Sequence, residues 1–365
     1  MRAGSGTLVC MRREVIHAPT GHHPGHPGVV VPARTDPAGV SGPTKPQARG
    51  RRWRRSSPGL YVPADVSTEL PEQRIVEAAQ MIPGYGGVTG WAALCWQGGR
   101  WFRGDDLWVE GQRALRDVTV ATMIHARSRP GVVFSEERLN RREILMCDGL
   151  PLTIAARSVC FEARYAPDLR SAVRVFDMAA YNDIVSLAEC AAYLPHLNGW
   201  TGVPQCREAF ALAEENAWSP REVDMRLAWR PDPGGRLLLC NVPVFDLHGQ
   251  LIGTPDLLDP VVGIVGEYDG AHHLAGPQRS KDVRREAAFR AVGLEYVTML
   301  AADLADPHHF EWRLRDCYGR AARRTADERR WTLQRPPWWV STDTVAQRRA
   351  LTESQRARLL AHRLA

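Results

Sequence analysis

Residues 251–269 constrain this chain more than any other stretch. Two apolar runs, Leu251 to Leu258 and Val261 to Asp269, meet at Asp259-Pro260. A tight Asp-Pro break between two such runs is a hairpin signal. Both runs carry carboxylates: Asp256 on the first, Glu267 and Asp269 on the second. Residues two apart on a strand point the same way, so Glu267 and Asp269 share a face. A hairpin that sets Asp256 beside that face makes an acidic cluster on a buried sheet. Unpaired buried carboxylates are costly, so such a cluster wants a hard cation bound through oxygen.

The flanking residues extend this hairpin into an α/β unit. Ser219-Pro220-Arg221-Glu222 opens a helix, with Ser219 as N-cap, Pro220 at the first position and an acid in the first turn. Leu237 to Asp246 reads as a strand and His248-Gly249 as the turn after it. A second helix begins near Ser280, with Val283, Ala287, Ala288, Ala291 and Val292 inward and Arg284, Arg285 and Arg290 outward. Gly293 suits its C′ position. Leu294 to Met299 is a further strand, and another helix follows from Leu304. The order αβββαβ, with the last strand reached by a helical crossover, predicts a mixed sheet in an α/β (α+β) fold.

The rest of the chain divides by composition. Residues 1–57 are rich in Pro, Gly, His and Arg, lack periodicity and read as a disordered basic arm. Its run Arg49-Gly50-Arg51-Arg52-Trp53-Arg54-Arg55 is either a DNA-backbone contact or a solvated tail. Residues 58–150 form a small mixed α/β region. There Glu72 to Met81 is helical, and Thr89 is placed to cap a short helix from Gly90 to Trp96. The two helices have the pattern of a helix-turn-helix fragment or of ordinary packing helices. Residues 151–216 read as a helical connector and 217–325 hold the hairpin unit. The tail, 326–365, is irregular and Trp- and Pro-rich until a short helix, for which Thr352 and Gln355 form a capping box.

Charge and cysteine usage narrow the function classes. The net charge of +6 is concentrated in the arm: residues 1–57 hold ten Lys and Arg against two Asp and Glu, and the remainder holds 37 against 39. A nucleic-acid surface must therefore come from local arginine clusters or from the arm. Eight Cys without a Cys-x-x-Cys pair argue against a zinc site and for reduced thiols in a cytoplasm. No apolar run is long enough to span a bilayer, and the N-terminus lacks the apolar segment of a secretory signal, so a soluble protein is expected.

Residues 219–320 resemble the PD-(D/E)xK nuclease superfamily. Within it they resemble the domain-of-unknown-function 559 group, which is similar to very-short-patch repair endonucleases. The residues that carry this are Ser219-Pro220-Arg221-Glu222, Pro255-Asp256, Glu267-Tyr268-Asp269-Gly270 with His272-His273, and Lys281-Asp282-Val283-Arg284-Arg285 through to Gly293-Leu294. The upstream half is similar to proteins with an AbiEi-type antitoxin region. Gly59-Leu60-Tyr61-Val62, Thr89 to Leu94 and Gly149 to Thr153 carry that likeness, without a recognisable winged helix before Tyr61.

The resemblance implies a restriction-endonuclease-like core that hydrolyses phosphodiester bonds in DNA with Mg²⁺ or Mn²⁺. Asp256 and Glu267, 11 residues apart across the hairpin, are the expected metal ligands, with Glu222 reaching the site from the preceding helix. Asp269 stands where the superfamily has its Lys. That leaves Lys281 to polarise the nucleophile and His273 to position water or a phosphate oxygen. Two other readings compete: a DNA-binding regulator of the antitoxin kind that no longer cuts, and a protein-interaction module. A homodimer and a toxin partner are both compatible with these readings. Taken one by one, the acids have a plainer interpretation, in which Asp256 ends a strand and Glu267 caps a turn.

Overall fold

The computed structural model describes residues 22, 23, 25–105, 115–229, 237–270 and 277–363. The chain packs as two compact units that divide between Phe161 and Glu162. Helices and mixed sheets occur together, as expected for an α/β chain.

The first unit contains, in chain order, β1 (His22–His23), β2 (His26–Val30), β3 (Trp53–Ser57), β4 (Leu60–Pro63), α1 (Pro71–Ala79), β5 (Gly87–Thr89), α2 (Trp91–Trp96), β6 (Val118–Ala121), β7 (Val132–Ser135), β8 (Ile144–Cys147) and β9 (Leu150–Thr153). Its main sheet runs β7-β6-β5-β9-β8. Two sequence expectations are corrected here. Residues 25–57 are not a disordered arm: Val29, Val31 and Val62 are buried, and β3 pairs with β4 as a hairpin. Gln73 of α1 anchors β2 by accepting the Val30 N–H (2.8 Å) and donating to the Val30 carbonyl (3.0 Å). Arg54 makes a bidentate pair with Glu77 at 3.0 and 2.7 Å, whereas Arg51, Arg52 and Arg55 stay exposed. The arm's first 21 residues, and the strand expected at Leu107 to Val109, lie outside the described residues. Nor are α1 and α2 joined by a tight turn, because the central strand β5 lies between them. Thr89 belongs to β5 and accepts a hydrogen bond from Thr153 Oγ1 (2.8 Å), and Gly90, at φ +63°, holds the N-cap position of α2.

Helix α3 (Ala155–Tyr165) leads into the second unit. Its elements are α4 (Leu169–Tyr181), α5 (Leu187–Tyr193), α6 (Val203–Ala211), α7 (Pro220–Trp229), β10 (Leu239–Cys240), β11 (Val244–Asp246), β12 (Leu251–Gly253), β13 (Leu257–Asp259), β14 (Ile264–Asp269), α8 (Pro277–Ala291), β15 (Glu295–Leu300), α9 (His308–Ala321), β16 (Trp331–Thr332), α10 (Val345–Arg349) and α11 (Glu353–Leu359). The strands form two sheets, β10-β13-β14-β15 and β12-β11-β16. All neighbours are antiparallel except β14 and β15, which are parallel across α8. The expected order survives in the larger sheet as α7, β10, β13, β14, α8, β15. The structure differs in cutting each of the first two expected strands in half. Leu237 to Asp246 breaks at Asn241, whose φ is +49°, and Leu251 to Leu258 breaks between Gly253 and Leu257. Each half then pairs in a different sheet. The Asp-Pro turn forms as read: Asp259 Oδ1 accepts the Val261 and Val262 N–H groups, and Gly263 turns at φ +83°.

The larger sheet is covered on both faces. Leu257, Ile264, Val297 and Met299 pack with Met225 and Trp229 of α7 and Phe310 and Leu314 of α9. Their neighbours Leu258 and Val265 pack the other way, with Phe289 of α8, Leu294 and Trp331. This alternation is the period-2 pleat acting between two layers. The inward face of α8 is only partly the one expected: Val292 packs against the core and Ala288 is half-buried. Val283, Ala287 and Ala291 are exposed, while Phe289 is fully buried and Arg285 is half-buried. The large Phe289 ring dominates and sits so close to β12 that a Cβ on Gly253 would approach it to 2.9 Å. On the outer edge of β15, the Tyr296 and Thr298 carbonyls accept from Arg290 (3.4 Å) and Arg313 (3.2 Å).

The tail and most of the expected connector, from Glu162 on, belong to this unit. Helix α4 is tied to α7 by two buried ion pairs, Arg174 with Asp224 (Nε–Oδ1 2.8 Å) and Arg226 with Asp177. In the tail, β16 joins the smaller sheet, and the fully buried Arg348 donates to Asp183 and to the Ala180 and Glu215 carbonyls. Gly266 in β14 leaves no room for a side chain, since a Cβ there would lie 2.1 Å from the Trp229 ring. Gly266→Ala is therefore expected to cost about 1–3 kcal/mol by overpacking. Combining it with Trp229→Phe should recover part of the loss. Thermal melting checks this, and a Gly266→Ala protein that melts with the wild type would refute the tight seat.

Candidate metal and acid site

Helix α7, the αL break at Asn241 and the ends of β13 and β14 converge on three carboxyl groups. Glu222 lies in the first turn of α7, where its N–H donates to Ser219 Oγ (3.2 Å), the N-cap residue expected from sequence. Its side chain is 7% exposed, and Oε2 accepts from the Trp218 N–H (2.8 Å) and from Asn241 Nδ2 (2.6 Å). Asn241 in turn donates its own N–H to the Asp256 carbonyl (3.1 Å). Asp256 Oδ2 accepts the Tyr268 N–H (2.8 Å), which ties the approach to β13 to the end of β14. Glu267, the residue before Tyr268, has Arg285 Nη2 2.8 Å from Oε1. Arg285 also donates to the Thr254 carbonyl. The approach to Glu267 is an ion pair without hydrogen-bond geometry, so this buried oxygen has no hydrogen-bond donor.

The charges on these groups are poorly relieved. Burial, and then repulsion from Asp256, pushes Glu222 up to about 8. The same two causes push Glu267 up to about 8, partly opposed by Arg285. Burial also raises Asp256, against the Tyr268 N–H and Arg285. As residues, Asp256 and Glu267 are half-buried, although Glu267 Oε1 itself is buried.

The structure thus brings Glu222, Asp256 and Glu267 into electrostatic contact. Asp269 lies beyond them at the exposed end of β14. Lys281 falls within α8, but its side chain, like the whole of His273, lies outside the described residues. Among the described residues, no group of three or more His, Cys, Asp and Glu side chains is arranged to hold an ion. The expected ligand pair, Asp256 and Glu267, lies on neighbouring chain segments, with Glu222 held beside it by Trp218 and Asn241. That pair fits a hard divalent cation in donor type and in the buried Glu267 oxygen that has no hydrogen-bond donor. Sequence reasoning missed two residues. Arg285 lies four after Lys281, so helical spacing puts it on the same face. Asn241 interrupts an apolar run with a residue type that tolerates positive φ.

No protein-family model matches the chain, and neither a curated protein nor a solved structure does.

The raised carboxyls fix a pH dependence. A carboxyl that binds its proton more tightly when folded stabilises the native state fully below its unfolded value, near 4.5 for Glu, and that contribution is lost as pH rises to about 8. Glu267→Gln cannot ionise, and Arg285, 38% exposed, can then turn to solvent. The substitution is expected to raise the melting temperature by about 2–4 °C or more at pH 8. At pH 5 it should change it less. An equal effect at both pH values, measured by calorimetry, would show that Glu267 is not a strained acid.

Proposed function

We propose that residues 219–320 form a PD-(D/E)xK-type domain of a cytoplasmic protein that hydrolyses phosphodiester bonds in DNA with Mg²⁺ or Mn²⁺. The observation that carries this reading is the pair of under-neutralised carboxylates, Asp256 and Glu267, on neighbouring strands beside a buried third acid. Asp256 and Glu267 would hold the cation, which when bound supplies charge neutralisation at the phosphate and acidifies water. The chain's own groups do the rest. Arg285 keeps a fixed positive charge at Glu267. Glu222 has Oε2 engaged by two donors, so Oε1 is the oxygen that takes or releases a proton, with a midpoint near 8 suited to proton transfer at mildly alkaline pH. Lys281 and His273 remain the proposed groups for polarising the nucleophile and positioning water, with Asp269 at the rim.

One observation favours a second reading. The Arg285 guanidinium already compensates Glu267 and holds the Thr254 carbonyl, as would suit a DNA-binding regulator that no longer cuts. A nicking assay on intact and mismatched plasmid DNA with Mg²⁺ or Mn²⁺ separates the two. The wild type should nick, and Asp256→Ala should lose activity by about 100-fold or more while melting near the wild type. Absence of nicking with salt-dependent DNA affinity favours the regulator. Absence of both leaves an interaction module.

A further inference from the structure

Asn241 sits where β10 gives way to β11, 3% exposed, with φ +49°. Among the described residues, only Asp148 and Asp183 are the other non-glycine residues with positive φ. Its amide orientation is fixed by use: Nδ2 donates one hydrogen to the Asn216 carbonyl (2.8 Å) and the other to Glu222 Oε2 (2.6 Å). Asn216 returns the contact, donating Nδ2 to the Cys240 and Asn241 carbonyls at 2.8 and 3.0 Å. The Asn241 N–H holds the Asp256 carbonyl, and Asn241 Oδ1 is buried with no hydrogen-bond partner. A residue needed only to turn the chain would be Gly, which enters the left-handed region without strain and leaves no orphan oxygen. What the asparagine adds is a donor aimed at Glu222.

We propose that Asn241 is a positioning residue that registers Glu222 of α7 against Asp256 of the sheet, its amide holding one acid and its backbone the other. A continuous hydrogen-bonded line then runs from Trp218 through Glu222, Asn241 and Asp256 to Tyr268. The role in catalysis rests on the hydrolytic reading above. The positioning itself does not.

The test uses the full chain and two substitutions. Asn241→Gly keeps the backbone and removes the amide, whereas Asn241→Ala removes the amide and strains the backbone. Melting reports the backbone part: both variants lose the amide's buried hydrogen bonds, and Asn241→Ala should melt below Asn241→Gly by the added backbone strain. Carbon-13 NMR of glutamate-labelled protein, without metal or DNA and with Glu222→Gln to assign the signal, reports the contact. Loss of a donor to the carboxylate should move the Glu222 midpoint upward by about half a unit or more in Asn241→Gly. In the nicking assay the same variant should be slower by about tenfold or more at saturating DNA, with half-saturation unchanged. An unmoved midpoint in Asn241→Gly overturns the proposal whatever happens to cleavage. Full-speed nicking by that variant overturns the catalytic role of the positioning. A moved midpoint in a protein whose wild type never nicks upholds the positioning of Glu222 and removes the hydrolytic reading instead.

Discussion

Two buried arginine–aspartate pairs hold helix α7 on helix α4, and much of the second unit depends on where α7 lies. Arg226 meets Asp177 and Arg174 meets Asp224, so each helix gives one arginine and one aspartate. Burial pushes Asp177 up to about 7 while its carboxylate pushes Arg226 up. The pair is ionic, because Asp177 also accepts the Glu214 N–H and so has donors on both oxygens. Buried pairs of this kind add little net stability over apolar packing, but removing one partner costs about 3–5 kcal/mol. Their effect is to allow one seating of α7. From that seating follow the Trp229 ring over Gly266 and the Glu222 carboxyl beside Asn241.

The same core explains why the acids remain under-neutralised. The larger sheet is apolar on both faces, so strand ends are where polar side chains fit without breaking a layer. Asp256 and Glu267 occupy such ends on neighbouring strands. Each gains a partner, the Tyr268 N–H in one case and Arg285 in the other, yet burial still raises both, and Glu267 also keeps the repulsion of Asp256. The unit therefore tolerates a local instability at the point where its chemistry would take place, and secures it through α7 and the hairpin around it.

The order of elements was legible because it rests on local signals. Ser219 and Pro220 start α7, Asp259-Pro260 makes its turn, and Gly293 ends α8 at φ +91°, where a Cβ would collide with the Glu328 carbonyl. The neighbourhood of Asp256 and Glu267 followed from the hairpin alone. What escaped depends on distant partners. Nothing near Asn241 announces that its amide will meet Glu222, 19 residues earlier. The inward face of α8 was partly misread because one phenylalanine outweighs several alanines in buried area. Residues 25–57 were misread because their few valines count little in composition, yet Val29, Val30 and Val31 are buried where Gln73 fixes the strand.

The guanidinium groups on the rim of β15 have one further consequence. A terminal strand with vacant carbonyls is a template on which a foreign strand can grow, and sheets that leave it open tend to polymerise. Here the acceptors of Tyr296 and Thr298 are already engaged by bulky cations from the helices on either side. An incoming chain would have to displace the arginines to reach those two carbonyls. That border therefore presents fewer open acceptors to a foreign strand than a bare edge would.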